Sequence, residues 1–213
     1  MTDAAVLPEA CLQQLTDWAA GSQRKMLGIV APPGAGKSTF AKAIHAAFPL
    51  KSQIVPMDGF HLANVELARL NRAGRKGAAD TFDSVGFHHL LQRIRLQKID
   101  EIVYAPDFRR DIEEAVAGAI AVVAATPLIL IEGNYLLLDS GPWALAKGLM
   151  DEVWYLDVDE GVRRERLLQR HMQFGRNREE ALAWMVSTDD PNARMIESSR
   201  PRADRHIDWV DED

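Results

Sequence analysis

The sequence predicts an α/β protein in which a parallel sheet carries helices on both faces. Short runs of branched apolar residues, such as Leu128-Ile129-Leu130-Ile131, alternate along the chain with longer segments of helical periodicity. This alternation is typical of parallel strands joined by crossover helices. A chain of 213 residues is long enough for one such domain with a sizeable core, so we expect a single domain over residues 1–213.

A local pattern justifies each element. An amphipathic segment that contains Cys11 and ends before Gly21 predicts the first helix. Apolar runs predict the strands, and Asp83-Ser84 resembles the N-cap of a helix. In chain order we expect a helix over 8–20, a strand over 26–30, a helix over 37–48, a strand over 53–57, a helix from 84 through 96, and strands over 127–131, 153–158 and 206–210.

The longest apolar stretch covers residues 115–131. It is broken by Gly118 and by Thr126-Pro127, and it ends at Glu132. A bilayer span needs about 20 consecutive apolar residues. We therefore interpret this stretch as buried core.

The segment between the first strand and the next helix carries the most specific motif. Small residues there let backbone N–H groups surround a polyphosphate, and the following helix directs its N-terminal dipole at that charge. Lys37 can reach the β- and γ-phosphates, and the Ser38 hydroxyl can hold Mg²⁺. An ordinary turn before an amphipathic helix is the alternative, which Gly-Lys-Ser-Thr disfavours. We call residues 31–39 the phosphate loop. Its expected nucleotide-binding residues are Pro33, Gly34, Ala35, Gly36, Lys37, Ser38 and Thr39.

Two carboxylates follow predicted strands on the side of the sheet where this loop lies. Asp58, just after the second strand, could accept a proton from an attacking hydroxyl, although it could also cap a helix. Glu132 ends the strand over 127–131, a position suited to orienting Mg²⁺. Its alternative role is that of a solvated carboxylate at a strand end.

The chain between Asp58 and Pro127 is much longer than one crossover helix requires. Connections of this length in a compact domain usually carry function, so we expect residues 58–126 to form the wall of a second binding site. His61, Lys76 and Asp80 are its candidate contact residues.

Arginines recur at helical spacing after the fourth predicted strand of the sheet. Arg163, Arg166 and Arg170 share one helix face, which could clamp phosphates and neutralise charge in a transition state. The alternative is a solvated face whose arginines pair with Glu160 and Glu165.

Composition excludes some classes of partner and compartment. The formal net charge of −6 disfavours nucleic acid, because a phosphate backbone needs a basic surface. One cysteine allows no disulfide within the chain, and the first residues lack a basic leader, so we expect a cytoplasmic protein without a membrane partner.

Taken together, these motifs resemble the P-loop kinase superfamily of uridine kinase, pantothenate kinase and phosphoribulokinase, and most closely its bacterial branch of fructose transport system kinases. The resemblance covers most of the chain. Besides the phosphate loop and the arginine segment, it includes Met57-Asp58-Gly59-Phe60-His61, Lys76-Gly77, Asp80-Thr81-Phe82-Asp83, Ile131-Glu132-Gly133-Asn134-Tyr135 and Asp190-Pro191-Asn192-Ala193.

This resemblance implies a P-loop NTPase fold, a three-layer sandwich with a five-stranded parallel sheet of order 2-3-1-4-5. It implies Asp58 as general base, and phosphate and Mg²⁺ roles for Lys37, Ser38 and Glu132. The further implied assignments are a lid over residues 160–178 that brings Arg166 and Arg170 to ATP, adenine contacts from Asn192 and Arg202, and acceptor contacts from His61, Lys76, Asp80 and Arg109.

The expected activity is ATP- and Mg²⁺-dependent phosphorylation of a hydroxyl group on a small metabolite. A sugar, a nucleoside and a pantothenate-like alcohol stay open as acceptors. The resemblance allows a homodimer, and the oligomeric state stays open as well. One rival is a nucleotide-dependent regulatory NTPase, since Asp83-Ser84-Val85-Gly86 matches the D-x-x-G switch pattern, although no N-K-x-D motif accompanies it. The other rival is a binding module that has lost turnover.

Overall fold

The computed structural model describes residues 7–209. Its central sheet contains five parallel strands, whose bounds are Lys25–Val30 (β1), Ser52–Pro56 (β2), Leu128–Glu132 (β5), Glu152–Asp157 (β6) and Arg205–Asp208 (β7), whereas β3 and β4 belong to a separate hairpin. The strands lie in the order β2-β5-β1-β6-β7. Counted among themselves, they have the order 2-3-1-4-5, which confirms the prediction. Val210, the last residue of the predicted final strand, lies outside the described residues.

Helices cover both faces of this sheet, as predicted. Residues of β1, β5 and β6 point alternately to the two faces, so each face supplies its own apolar cluster. Leu15 and Phe40 belong to one cluster, and Phe87 and Ile196 belong to the other. The helices are Glu9–Ala20 (α1), Lys37–Ala47 (α2), Asn64–Arg69 (α3), Ser84–Arg95 (α4), Glu160–Gln173 (α5), Arg178–Trp184 (α6) and Asp190–Ser198 (α7).

Residues 58–126, the predicted acceptor-binding insertion, contain a hairpin that the sequence pattern does not predict. Ile102–Arg109 (β3) and Glu114–Val123 (β4) pair as an antiparallel hairpin that is separate from the central sheet. The expectation that 115–131 is buried core is wrong for β4, most of which is exposed. One face of the hairpin covers the core through Val103 and Val122, and small apolar residues on the other face meet solvent.

The sheet brings the sequence motifs together at one edge. β5 lies between β1 and β2, and Glu132 is in register with both Ile29 and Pro56. The phosphate loop therefore begins beside the residue that ends β5, and the 3₁₀ turn Met57–Phe60 begins on its other side. Carboxyl ends of parallel strands are where open α/β sheets bind ligands. No helix in the described part of the chain is long and apolar enough to cross a membrane.

Candidate active site

The phosphate loop is shaped by two glycines with left-handed backbones. Gly34 has φ 86° and Gly36 has φ 81°, values that side chains other than glycine rarely adopt. Gly34 is also pressed against α5, because a Cβ placed there would lie 2.6 Å from the carbonyl oxygen of Arg163. Arg163 is buried, and its Nη1 donates to the carbonyl of Pro33 at 3.2 Å. The loop is thus fixed by the first turns of α5.

Lys37 is held at the centre of this loop. Its Nζ donates to the carbonyls of Ala31 at 2.9 Å and Pro32 at 3.2 Å. Burial lowers the pKa of Lys37 to about 8, against the opposing effect of the nearby carboxylates Glu132 and Asp58. A buried ammonium with spare donor capacity is suited to bind phosphate oxygens.

Ser38 and Glu132 form a second polar pair beside the lysine. The Ser38 hydroxyl donates to Glu132 Oε1 at 2.9 Å, and burial together with the charge of Asp58 raises the pKa of Glu132. A hydroxyl and a carboxylate are the hard oxygen ligands that Mg²⁺ prefers. No group of three or more His, Cys, Asp or Glu side chains within residues 7–209 could hold a metal alone. The Ser38 hydroxyl and the Glu132 carboxylate therefore fit a Mg²⁺ ion whose remaining ligands are phosphate and water oxygens.

The 3₁₀ turn Met57–Phe60 places Asp58 on the side of Glu132 that lies away from the phosphate loop. The turn starts after Pro56 and has no side-chain cap, so the helix-cap alternative for Asp58 is not what the structure shows. Asp58 Oδ2 lies 3.4 Å from Arg110 Nη2, and its backbone carbonyl accepts a hydrogen bond of 2.8 Å from His61 Nδ1. The carboxylate is half-buried and faces a cavity.

This cavity has a volume of about 770 Å³ and joins the two predicted sites. At one end it is lined by Lys37, Ser38 and Glu132, and at the other by His61 and Lys76 of the insertion. A cavity of this size can hold a nucleotide and a small second substrate. Asp58 lines the same cavity and is close enough to interact electrostatically with Lys37 of the phosphate loop and with His61 of the insertion.

Comparison with known proteins identifies the family. Residues 26–212 match the Phosphoribulokinase / Uridine kinase family. The chain belongs to this family. It is a P-loop kinase.

Individual relatives support the assignment. The kinase is 38% identical over 152 residues, 68% of this chain and 88% of the relative, to an "ATP-dependent kinase-like protein" of Aspergillus versicolor. It is 36% identical over 188 residues, 83% of this chain and 80% of the relative, to a "putative uridine kinase" of Schizosaccharomyces pombe. Among solved structures, a "putative fructose transport system kinase" from Silicibacter sp. TM1040 superposes with TM-score 0.83 at 35% identity, covering 95% of this chain and 100% of that one.

The structure brings some of the predicted acceptor residues of the kinase into the cavity and leaves others outside its lining. His61 and Lys76 line it. Asp80 does not, and instead forms an ion pair with Arg75 at 2.6 Å. Arg109 also lies outside the lining and pairs with Asp111 at 3.0 Å on the exposed end of the hairpin.

The predicted nucleotide contacts divide in the same way. Arg170 lines the cavity, whereas Arg166, one helical turn earlier on α5, does not. Asn192 lines it and donates to the carbonyl of Gly77 at 3.5 Å, so it contacts the insertion. Arg202 lies outside the lining, where its Nη1 donates to the carbonyl of Leu137 at 2.7 Å.

Two groups at the cavity of the kinase were not selected from the sequence. Arg110, next to the predicted Arg109, is the hairpin residue that reaches Asp58. On the lid side, Arg176 donates to His171 Nδ1 at 2.9 Å, so Nδ1 is an acceptor and the imidazole proton is on Nε2. His171 Nε2 in turn donates to Asp189 Oδ2 at 2.8 Å. Asp189 ends the π-helical turn Met185–Asp189, a geometry without a sequence signal that we could use.

The D-x-x-G pattern has a structural explanation. The Asp83 carboxylate accepts a hydrogen bond from the Gly86 N–H at 2.8 Å and caps the N-terminus of α4. Neither residue lines the cavity. The pattern in this kinase is therefore a helix cap, which removes the observation that favoured a regulatory switch.

Proposed function

We propose that this kinase transfers the γ-phosphoryl group of ATP to a hydroxyl group of a small metabolite, with Asp58 as the general base. One observation carries the proposal: Asp58, Lys37 and Glu132 line a single cavity that continues into the insertion. The phosphate loop would bind the nucleotide at one end, and the insertion would bind the acceptor at the other.

Different residues would stabilise the negative charge on different parts of the nucleotide phosphates. Lys37 would hold the β- and γ-phosphates, and Ser38 with Glu132 would hold Mg²⁺, which neutralises phosphate charge when it is bound. Arg170 reaches the cavity from α5, and its guanidinium stays charged although burial lowers its pKa. It is the arginine best placed to stabilise charge on the transferring group.

Asp58 would take the proton of the acceptor hydroxyl. Its carboxylate is within ion-pair distance of Arg110 rather than tied to a backbone cap. As the negatively charged γ-phosphoryl group approaches, Arg110 would either leave Asp58 or contact both Asp58 and the phosphoryl oxygens. His61 would help to position the acceptor, because its ring lies against Phe82 and Phe108, with centroid distances of 4.0 Å and 4.7 Å.

The test is ADP release from the purified chain with Mg·ATP and a panel of neutral sugars, nucleosides and hydroxy acids. We expect ADP to form at an acceptor-dependent rate and phosphate to appear on the acceptor. Lys37→Met is the matched control for contaminating kinases and should abolish turnover. ADP formation that is equal with and without every acceptor would instead show an NTPase.

A further inference from the structure

The acceptor end of the cavity contains a cation with a specific environment. Lys76 is half-buried and lines the cavity. Its Nζ donates to Asn64 Oδ1 at 2.7 Å and to the carbonyl of Glu113 at 2.5 Å. It also lies 5.1 Å from the centre of the Phe108 ring. All three contacts are with groups that carry no formal charge.

No carboxylate of the described residues forms an ion pair with Lys76. Glu113 and Glu114 are close enough to raise its pKa, yet burial outweighs them and the pKa is lowered. The other cation of this region, Arg110, already has Asp58 as a partner. Lys76 is thus the cation at the acceptor end whose charge no protein group neutralises by contact.

The number of donors limits what this lysine can hold. An ammonium has three N–H donors, and two of them are taken by Asn64 and by the carbonyl of Glu113. One donor is left for a ligand in the cavity. A single charge-assisted hydrogen bond from one ammonium balances the charge of a carboxylate, whereas it leaves half of the charge of a phosphate dianion uncompensated. Asp111 and Glu113 also line this end, and they repel a dianion about twice as strongly as a monocarboxylate.

The remaining wall indicates the other part of the ligand. The His61 ring contacts the rings of Phe82 and Phe108; His61 Nδ1 donates to the backbone carbonyl of Asp58, and Phe108 lies beside the Lys76 ammonium. Burial lowers the pKa of His61, which keeps this platform neutral. It offers an apolar surface to a carbon chain that extends from the reacting hydroxyl to the anionic group.

We propose that the acceptor of this kinase is a hydroxylated monocarboxylate, with its carboxylate bound by Lys76 and its reacting hydroxyl beside Asp58. This inference rests on the proposed function, since it names the substrate class of the same site. Lys76 is then the residue that distinguishes an acid from the corresponding neutral alcohol.

The test uses acceptors in matched pairs that differ only at the carboxylate. Suitable pairs are glycerate with glycerol, gluconate with glucitol, and pantothenate with pantothenol, with glycerol 3-phosphate and uridine added as a phosphate ester and a neutral nucleoside. Under Mg·ATP we expect at least one acid to give a kcat/KM about tenfold or more above that of its alcohol. Equal use of both members of every pair, or preference for the phosphate ester, would overturn the inference.

Variants of Lys76 distinguish recognition of the acceptor carboxylate from a purely structural role of this lysine. Lys76→Gln should lower the ratio of kcat/KM for the acid to kcat/KM for its alcohol about tenfold or more, chiefly through KM for the acid, and Lys76→Arg should restore part of this ratio. Lys51→Gln is the control, because Lys51 is exposed at the end of β2 opposite Asp58 and does not line the cavity. If Lys76 only ties the hairpin tip to α3, Lys76→Gln will impair acid and alcohol equally, and the inference fails.

The same panel distinguishes the two levels of proposal. Turnover with sugars or nucleosides and none with the acids leaves the kinase function standing and refutes the monocarboxylate. ADP from no acceptor, in a protein that binds Mg·ATP, contradicts the proposed function and the inference together.

Discussion

Replacing Asp58 by Asn removes the proposed base while keeping the size of the side chain. Loss of a general base costs about 10²–10⁴ in rate, or about 2.7–5.4 kcal/mol of transition-state stabilisation. The same change also weakens the pair with Arg110. That pair is 3.4 Å long, and its side chains are 31% and 43% exposed, so it is worth about 0–1 kcal/mol, or at most about fivefold. The catalytic effect should therefore dominate.

The assay is ADP release at saturating Mg·ATP and acceptor, with nucleotide affinity measured separately by titration. We expect kcat to fall at least about 100-fold and the Kd for Mg·ATP to change less than about fivefold. Asp139→Asn, at an exposed loop carboxylate, is the control and should behave as the unaltered kinase. A fall in kcat of fivefold or less would refute the role of Asp58 as base, because the ion pair alone would explain it.

Three other changes test the nucleotide end of the cavity. Gly34→Ala forces a left-handed backbone onto alanine and places its methyl group 2.6 Å from the carbonyl oxygen of Arg163. We expect the free energy of unfolding to fall by about 2 kcal/mol and Tm to fall by about 4–8 °C. An unchanged Tm in a thermal scan would contradict the described packing. Because burial lowers the pKa of Lys37 to about 8, its ammonium loses its proton above that pH, and kcat/KM for ATP should fall about tenfold per pH unit. A kcat/KM that stays constant to pH 10 would contradict the role of a charged Lys37. In the same window the unfolded chain binds more protons than the folded chain, so the contribution of Lys37 to the free energy of unfolding rises with pH from about 8 to its usual value of 10.5. Ser38→Ala removes a proposed metal ligand and the hydrogen bond to Glu132, and should raise the Mg²⁺ concentration for half-maximal activity about tenfold; an unaltered Mg²⁺ titration would exclude Ser38 as a ligand.

The central sheet could be predicted because its strands carry a strong pattern. β5 is a short continuous apolar run that is buried on both faces, and its length and branched residues identify it as a parallel strand. The hairpin could not be predicted in the same way. Ala117, Ala119 and Ala121 are apolar and yet exposed, and hydropathy cannot distinguish small exposed residues from core. The order of the strands came from the family resemblance and not from their spacing.

The site was predicted where a motif fixes the geometry. The phosphate loop specifies its own backbone, and the register of the sheet then places Glu132 beside it. Within the insertion no local rule decides which neighbour turns inward, so Arg110 reaches Asp58 whereas the selected Arg109 points to Asp111. Asp189 depends on a π-helical turn that changes the direction of its side chain relative to an α-helix.

The contact between Gly34 and α5 links the phosphate loop to the cavity wall on the other side. Arg163 and Leu167 are buried, and Arg163 donates to the loop carbonyl of Pro33, so the first turns of α5 are fixed against the loop. Arg170 lies seven residues beyond Arg163 on the same helix, about two turns away, and lines the cavity. The position of its guanidinium is therefore set by the packing at Gly34, and a side chain added at Gly34 would displace Arg170 as well as the loop.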